Sequence, residues 1–102
     1  MALTRVLLVD DDEELSHVMR SGIHGEFFHV ELAPGVDDAL AHLANHHFDI
    51  VVTDYQMEPR DGMELLKLIK EQYPHTDVIM MTGYGTIDTI FKALKLGAYD
   101  FI

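Results

Sequence analysis

Apolar residues occur in three short runs, and each run ends at a polar residue that is suited to chemistry. Asp10 follows the first run, Asp54 follows the second and Thr82 follows the third. Apolar runs of this length are typical of strands that are buried on both faces of a parallel sheet. In open parallel sheets, ligands bind beyond the carboxyl ends of the strands, so we expect these polar side chains to face one cleft. The three runs are Val6–Val9, Ile50–Thr53 and Val78–Met81.

Segments with apolar residues at helical spacing alternate with the predicted strands along the chain. Asp61, with Glu64 three residues later, has the pattern of a capping box at the start of the third helix, and Thr86 is expected to cap the fourth. This alternation predicts βαβ units, a doubly wound parallel sheet and a single α/β domain. Strands are predicted over 5–9, 27–32, 49–54, 77–81 and 99–102, and helices over 15–23, 36–44, 63–72 and 87–96.

The handedness of the connections restricts the order of the strands in the sheet, and we expect the order 2-1-3-4-5. In that order the first and third strands are neighbours at the point where the strand order reverses. Asp10 and Asp11 would then meet Asp54, and Thr82 would lie one strand away. The sequence therefore predicts an acidic cleft at the carboxyl edge of the sheet.

Charge and composition exclude several classes of function. The chain has 102 residues and a formal charge of −11, so it lacks the basic face that binding to nucleic acid requires. It has no cysteine, which excludes disulfides and thiolate metal sites. No apolar run approaches the roughly 20 residues that cross a membrane, and Arg5 leads straight into a strand instead of a signal peptide. We therefore expect a cytoplasmic protein that does not bind a membrane.

Three carboxylates in one cleft repel one another, and one of them would be partly protonated unless a cation were bound. Mg²⁺ takes oxygen ligands, commonly one or two carboxylates together with water and a substrate phosphate. A carboxylate is also a nucleophile toward phosphoryl groups, and the product is an aspartyl phosphate. Asp54 stands alone at a strand end and is the expected nucleophile, whereas Asp10 and Asp11 suit the metal. Thr82 is expected to hydrogen-bond a phosphoryl oxygen.

Segments 6–12, 49–62 and 78–101 resemble the receiver domain of two-component response regulators. The last segment is most similar to receivers of the nitrogen-regulation, enhancer-binding class. The resemblance implies a flavodoxin-like fold over residues 1–102 and a phospho-acceptor signalling switch. It also implies that Asp54 takes phosphate from a sensor histidine kinase. The signal would pass to an output domain or partner protein that regulates transcription.

The resemblance also implies a role for each matching site residue. Asp11 would bind Mg²⁺ directly, Asp10 mainly through water, and the backbone carbonyl of Gln56 would supply another ligand beside Asp54. Thr82 would move toward the phosphate. Phe101 matches the family's aromatic switch position on the fifth strand. Helix four and strand five would form the surface that changes on phosphorylation and contacts partners.

Two features depart from the family pattern. Glu58 follows Met57 where the family has proline, and Pro59 comes one position later. The family also has a Lys-Pro pair just beyond the fifth strand and then a last helix, whereas this chain ends at Ile102. We therefore expect an incomplete receiver domain from a longer regulator, with weaker phosphoryl transfer. The sheet face left uncovered predicts a homodimer or an exchange of elements between two copies.

Other functions compete with this interpretation. A degenerate receiver that acts only in protein interaction or dimerisation is favoured by the missing lysine and disfavoured by the intact acids. A phosphatase of the haloacid-dehalogenase type needs an aspartate two residues after the nucleophile, where Gln56 stands. A flavodoxin-like cofactor site lacks a phosphate-cradling loop after the first strand. His42 and His46, with His47 adjacent, could hold zinc at their i, i+4 spacing, but no carboxylate or cysteine completes that set nearby, and the outer face of the helix is the expected location.

Overall fold

A parallel sheet of five strands forms the framework, in the order β2-β1-β3-β4-β5. The computed structural model describes residues 3–12, 14, 16–17, 20, 28–81 and 92–102, and of Phe101 it describes the backbone. Most of the first predicted helix and half of the fourth, with Thr82 and Thr86, lie outside these residues. The predicted fold class and strand order are confirmed. The elements are β1 (Thr4–Val9), β2 (Phe28–Ala33), α1 (Val36–Asn45), β3 (Ile50–Asp54), α2 (Gly62–Gln72), β4 (Asp77–Met81) and β5 (Asp100–Phe101).

The strand β1 lies between β2 and β3, and its register aligns the carboxyl ends of all three strands. Val9 pairs with Ala33 on one side and with Thr53 on the other. Because successive side chains of a strand point to opposite faces, Leu7 and Val9 enter one core while Leu8 enters the other. All three side chains are almost fully buried, which explains why their strand is a continuous apolar run.

Both α1 and α2 pack on the face of the sheet that carries Leu7 and Val9. Each helix contributes an apolar stripe, and Leu65, Leu66 and Ile69 of α2 are fully buried. Burying a side chain of this size is worth about 1.5–3 kcal/mol, so this packing fixes the position of α2. The amino end of α2 is thereby held beside the carboxyl end of β3.

Asp61 caps α2, as the sequence predicts. Its Oδ1 accepts a hydrogen bond from the backbone N–H of Glu64 at 3.0 Å. The Glu64 carboxylate pairs with Arg60 at 3.2 Å, and Arg60 also contacts Asp37 of α1 at 2.6 Å. Asp61 therefore caps the helix as the capping-box pattern predicts, whereas the Glu64 side chain pairs with Arg60.

Loss of this cap should weaken the fold. The substitution Asp61→Ala leaves the Glu64 N–H without its acceptor and should lower the free energy of unfolding by about 1 kcal/mol. Asp61→Ser keeps an acceptor oxygen and serves as the matched control. Urea unfolding followed by circular dichroism measures both values. Equal stability of the alanine and serine variants would contradict a capping role.

Candidate functional site

Three carboxylates meet where β1 and β3 end. One ligand oxygen each from Asp10, Asp11 and Asp54 can be chosen so that all three lie within 4.8 Å of one another. In the part of the chain that the structure describes, this is the one group of three or more His, Asp or Glu side chains that converges in this way. The pairing of β1 with β3 explains it, because Val9 and Thr53 are register partners and the aspartates follow them directly.

Asp10 is the most deeply placed member of this cluster. Its side chain is 4% exposed, and its Oδ1 accepts a hydrogen bond from the backbone N–H of Asp12 at 2.9 Å. Its own N–H donates to the carbonyl oxygen of Ala33 at 3.1 Å, which ties the residue to the end of β2. Burial raises the pKa of the Asp10 carboxyl. The bond from Asp12 opposes this shift, and the negative charges of Asp54 and Asp11 add to it.

Asp54 is half-buried at the end of β3. Its Oδ1 accepts a hydrogen bond from the backbone N–H of Gln56 at 3.3 Å. The following residue is held to the neighbouring strand, because the N–H of Tyr55 donates to the carbonyl of Met81 at 2.8 Å. Burial raises the pKa of Asp54, and the negative charge of Asp11 raises it further, against the hydrogen bond from Gln56. Two neighbouring carboxyls with raised pKa values form a site that a cation would stabilise.

Gly62 brings α2 against the backbone of Asp54, a contact that the sequence analysis missed. Its N–H donates to the carbonyl of Tyr55 at 3.0 Å. A Cβ atom added to Gly62 would overlap the carbonyl oxygen of Asp54 and lie 3.1 Å from the sulfur of Met80. In the sequence, this contact is indicated by Gly62 itself, which comes directly after the cap although glycine is a poor helix former.

A surface depression of about 390 Å³ opens beside the carboxylates on the side of the loop that follows β3. Three of its lining residues are acids, namely Asp11, Glu58 and Asp61. The side chain of Gln56 lines the depression and is exposed. Metal ligation by the Gln56 carbonyl remains a prediction. Glu58, which departs from the family pattern, thus adds negative charge next to the site.

The other two predicted site residues lie at the margin of what the structure describes. Thr82 lies outside the described residues. The backbone of Phe101 is in β5, where it pairs with Met80 of β4. The predicted roles of the Thr82 hydroxyl and the Phe101 ring therefore stay predictions.

The donor set fits a hard divalent cation. Mg²⁺ prefers carboxylate and carbonyl oxygens and keeps several waters, so a partly open group of three aspartates provides suitable ligands. Asp10 is buried and Asp11 is exposed, which leaves one side of the cluster accessible to solvent. Each of the three residues could supply one oxygen without a change of the backbone. The fold therefore brings together the three aspartates of the predicted magnesium set, Asp10, Asp11 and Asp54.

Comparison with known proteins identifies the family. Residues 6–102 match the family model described as "Response regulator receiver domain". The chain belongs to the response regulator receiver domain family. The receiver domain is 36% identical over 104 residues to a "Putative response regulator NtrX-like" from Rickettsia bellii. That alignment covers 100% of this chain and 22% of the relative.

Other relatives agree with this result. The "Nitrogen assimilation regulatory protein NtrX" of Azorhizobium caulinodans is 35% identical over 99 residues, covering 95% of this chain and 22% of the relative. The receiver domain thus spans about a fifth of the length of these curated relatives. Among solved structures, the signal receiver domain of an HD domain-containing protein from Pseudomonas fluorescens superposes with a TM-score of 0.93 at 28% identity. That match covers 99% of this chain and 82% of the other.

Receiver domains of response regulators work in two-component systems with histidine kinases and output domains. The relatives of this chain include NtrX and NtrX-like regulators, so the resemblance to the nitrogen-regulation class is confirmed. No helix among the described residues of the receiver domain has the length and apolar character needed to span a membrane.

The raised pKa values of Asp10 and Asp54 predict how stability depends on pH when no divalent cation is present. The folded domain binds these two protons more tightly than the unfolded chain does. Stability should therefore fall as the pH rises from the ordinary carboxyl pKa through the raised values. Adding Mg²⁺ at neutral pH should reverse the loss and raise the thermal midpoint by ~4–8 °C for each ~1 kcal/mol regained.

Thermal unfolding at several pH values, with Mg²⁺ and with EDTA, measures this dependence. In Asp54→Asn one negative charge is gone, so the variant should melt higher than the parent in EDTA and respond less to Mg²⁺. A parent midpoint that ignores Mg²⁺ would contradict a cation site at these carboxylates.

Proposed function

We propose that this receiver domain is a phospho-acceptor switch in a two-component system. In the proposed reaction, a carboxylate oxygen of Asp54 attacks the phosphorus of a phosphohistidine on a sensor histidine kinase. A P–O bond forms to Asp54, the P–N bond breaks, and the imidazole of the kinase leaves. The observation that supports this proposal best is the convergence of Asp10, Asp11 and Asp54 within 4.8 Å at the strand ends.

Mg²⁺ would be held by Asp10, Asp11 and Asp54, with the backbone carbonyl of Gln56 as a further ligand. When bound, it would neutralise negative charge on the carboxylates and on the phosphoryl oxygens, which is most of what phosphoryl transfer requires. The chain itself supplies the position of the nucleophile. The hydrogen bond from the Gln56 N–H to Asp54 Oδ1 helps to orient this carboxylate. Burial of Asp10 limits competing water on the inner side of the cluster.

The signal would leave the domain through the fourth predicted helix, over residues 87–96, and through β5. In this proposal the Thr82 hydroxyl hydrogen-bonds the new phosphoryl group, and Phe101 acts as the aromatic switch. Near β5 the chain carries exposed apolar side chains, with Leu94 at 44% and Tyr99 at 71% exposure. Such side chains suit contact with an output domain, a partner protein or a second copy of the domain. We propose an output in transcription, because one relative is named "Transcriptional regulatory protein ZraR". A cytoplasmic setting is also part of this proposal.

A small phosphodonor tests the proposal without the kinase. Incubation with acetyl phosphate and Mg²⁺ should increase the intact mass by one phosphoryl group. The gain should vanish in EDTA, because the carboxylates then repel the incoming anion. If no condition gives a mass gain, the acceptor function is excluded for this chain, and the alternative of an interaction-only receiver becomes the better explanation.

A further inference from the structure

A cleft of about 250 Å³ lies between the end of β2 and the first predicted helix. Its lining residues are Asp10, Ser16, His17, Leu32, Ala33 and Pro34. Asp10 also belongs to the aspartate cluster, but none of the six lines the acidic depression beside Gln56. The cleft is therefore distinct from that depression, although both border the aspartate cluster.

The hydroxyl of Ser16 is buried in this cleft without a hydrogen bond. Ser16 is 4% exposed, and its Oγ has no hydrogen-bond partner in the described part of the chain. Buried polar groups are nearly always hydrogen-bonded, because leaving one unpaired is unfavourable. A molecule bound in the cleft would supply the missing bond. The volume of about 250 Å³ is far above the ~10–15 Å³ that one water needs, so a small organic ligand has room there.

The polar end of the cleft is held in place by backbone hydrogen bonds. Asp12 connects its two polar residues, because its N–H donates to Asp10 Oδ1 at 2.9 Å and its carbonyl accepts from the Ser16 N–H at 3.0 Å. The N–H of Asp10 donates to the carbonyl of Ala33 at 3.1 Å, which fixes the side formed by β2. The site is therefore largely formed before a ligand binds, as small-molecule sites usually are.

The lining favours a cation that carries an apolar group. At the polar end, Asp10 and Ser16 offer oxygen atoms as hydrogen-bond acceptors, and the aspartate cluster makes the electrostatic potential negative. The wall formed by Leu32, Ala33 and Pro34 is apolar. An ammonium group has three N–H donors and a positive charge, and a short hydrocarbon chain on it would cover the apolar wall. An anion would be repelled, and a neutral alcohol would lack the charge-assisted hydrogen bond.

We propose that this cleft binds a small organic ammonium ion, with the nitrogen between Asp10 and Ser16. Because Asp10 also belongs to the proposed magnesium site, the ammonium ion and Mg²⁺ should weaken each other's binding. Such a ligand would regulate how readily the acceptor site loads its metal, and this regulatory role rests on the proposed function. Binding of the ammonium ion without Mg²⁺ does not depend on phosphorylation of Asp54.

Amide NMR with simple probes tests the site. The ¹⁵N-labelled domain in EDTA is titrated with n-butylammonium chloride, n-butanol or sodium butyrate at constant ionic strength. We expect n-butylammonium to shift the amides of Ser16, His17 and Ala33 in a saturable way. The affinity for n-butanol should be at least ~10-fold lower, and butyrate should leave these amides unchanged. Shifts centred on residues 56–58, or equal affinity for n-butanol, would overturn the proposal.

Competition with Mg²⁺ is measured in the same way after the EDTA is removed. Mg²⁺ is added until its own shifts at Asp11 are complete, and n-butylammonium binding should then be weaker. Unchanged binding at that point would overturn the placement of the nitrogen beside Asp10. A domain that shows no Mg²⁺ shifts would contradict the proposed function, whereas the titration in EDTA would still decide whether the cleft binds the ammonium ion.

Ser16→Ala removes the hydroxyl and should weaken n-butylammonium binding at least ~10-fold. Without the probe, the variant should melt no lower than the parent, because the hydroxyl has no hydrogen bond to lose. Glu58→Gln is the matched control, since it removes a negative charge from the separate depression, and it should bind the probe as the parent does. Unchanged affinity in Ser16→Ala, a lower melting temperature of that variant, or loss of binding in Glu58→Gln would overturn the proposal. Circular dichroism of each variant confirms that it is folded.

Discussion

Replacing Asp54 with asparagine should reduce phosphoryl labelling by acetyl phosphate at least ~100-fold, because an amide is not a nucleophile toward phosphorus. The substitution changes one atom and keeps an acceptor oxygen for the Gln56 N–H, which is 3.3 Å from Asp54 Oδ1. The fold should therefore persist, and the loss of repulsion in the cluster should even stabilise it. Initial rates of mass gain measure the effect.

Two comparisons separate the nucleophile from the metal ligands. Asp11→Asn should slow labelling through weaker Mg²⁺ binding, so raising the Mg²⁺ concentration should restore part of the rate. The same increase should not restore Asp54→Asn. Asp12→Asn is the matched control, since Asp12 is an exposed neighbour that is not part of the converging group. A residual rate in Asp54→Asn close to that of the parent would assign the chemistry to another residue.

Gly62→Ala should be the most destabilising small substitution near the site. In an open helix this change would stabilise the protein by up to ~1 kcal/mol, because alanine is the better helix former. Here the added Cβ would overlap the Asp54 carbonyl oxygen and lie 3.0 Å from the carbonyl carbon. Backbone cannot move away as a flexible side chain can, so steric strain should dominate. We expect a net loss of about 1–3 kcal/mol in the free energy of unfolding.

The same substitution should also slow phosphoryl labelling, because displacing the Asp54 backbone moves its carboxylate relative to Asp10 and Asp11. Gly35→Ala provides the control at the start of α1. Nothing lies within 4 Å of a Cβ added there, and Gly35 has an extended backbone with φ of −166°. Urea unfolding and labelling rates of both variants are compared with the parent. A Gly62→Ala variant as stable and as fast as the parent would contradict the close packing of α2 against β3.

The strand order and the acidic cluster could be predicted because both depend on local patterns. Continuous apolar runs specify strands buried on both faces, and the residue after each run lies at the carboxyl edge of the sheet. Asp10 and Asp54 follow register partners of β1 and β3, so few arrangements could keep them apart. The convergence of these carboxylates is thus a consequence of topology.

Features that arise from tertiary packing could not be predicted in this way. The close approach of Gly62 to Asp54 depends on where α2 settles on the sheet, which the sequence near Gly62 does not specify. The contact between Glu31 and His42 depends on the alignment of α1 with β2. The Glu64 side chain could either close a capping box or pair with Arg60, and in the structure it pairs with Arg60. In each case local propensity was compatible with several outcomes.

Locating the phosphoryl group tests the central claim most directly. Borohydride reduces an aspartyl phosphate to the alcohol, which converts the residue to homoserine, and peptide sequencing by mass spectrometry then identifies its position. After labelling with acetyl phosphate and Mg²⁺, we predict homoserine at position 54 alone, and none in samples prepared with EDTA. Homoserine at another aspartate, or a phosphate that resists borohydride as an ester on serine or threonine, would contradict the assignment of Asp54 as the phospho-acceptor.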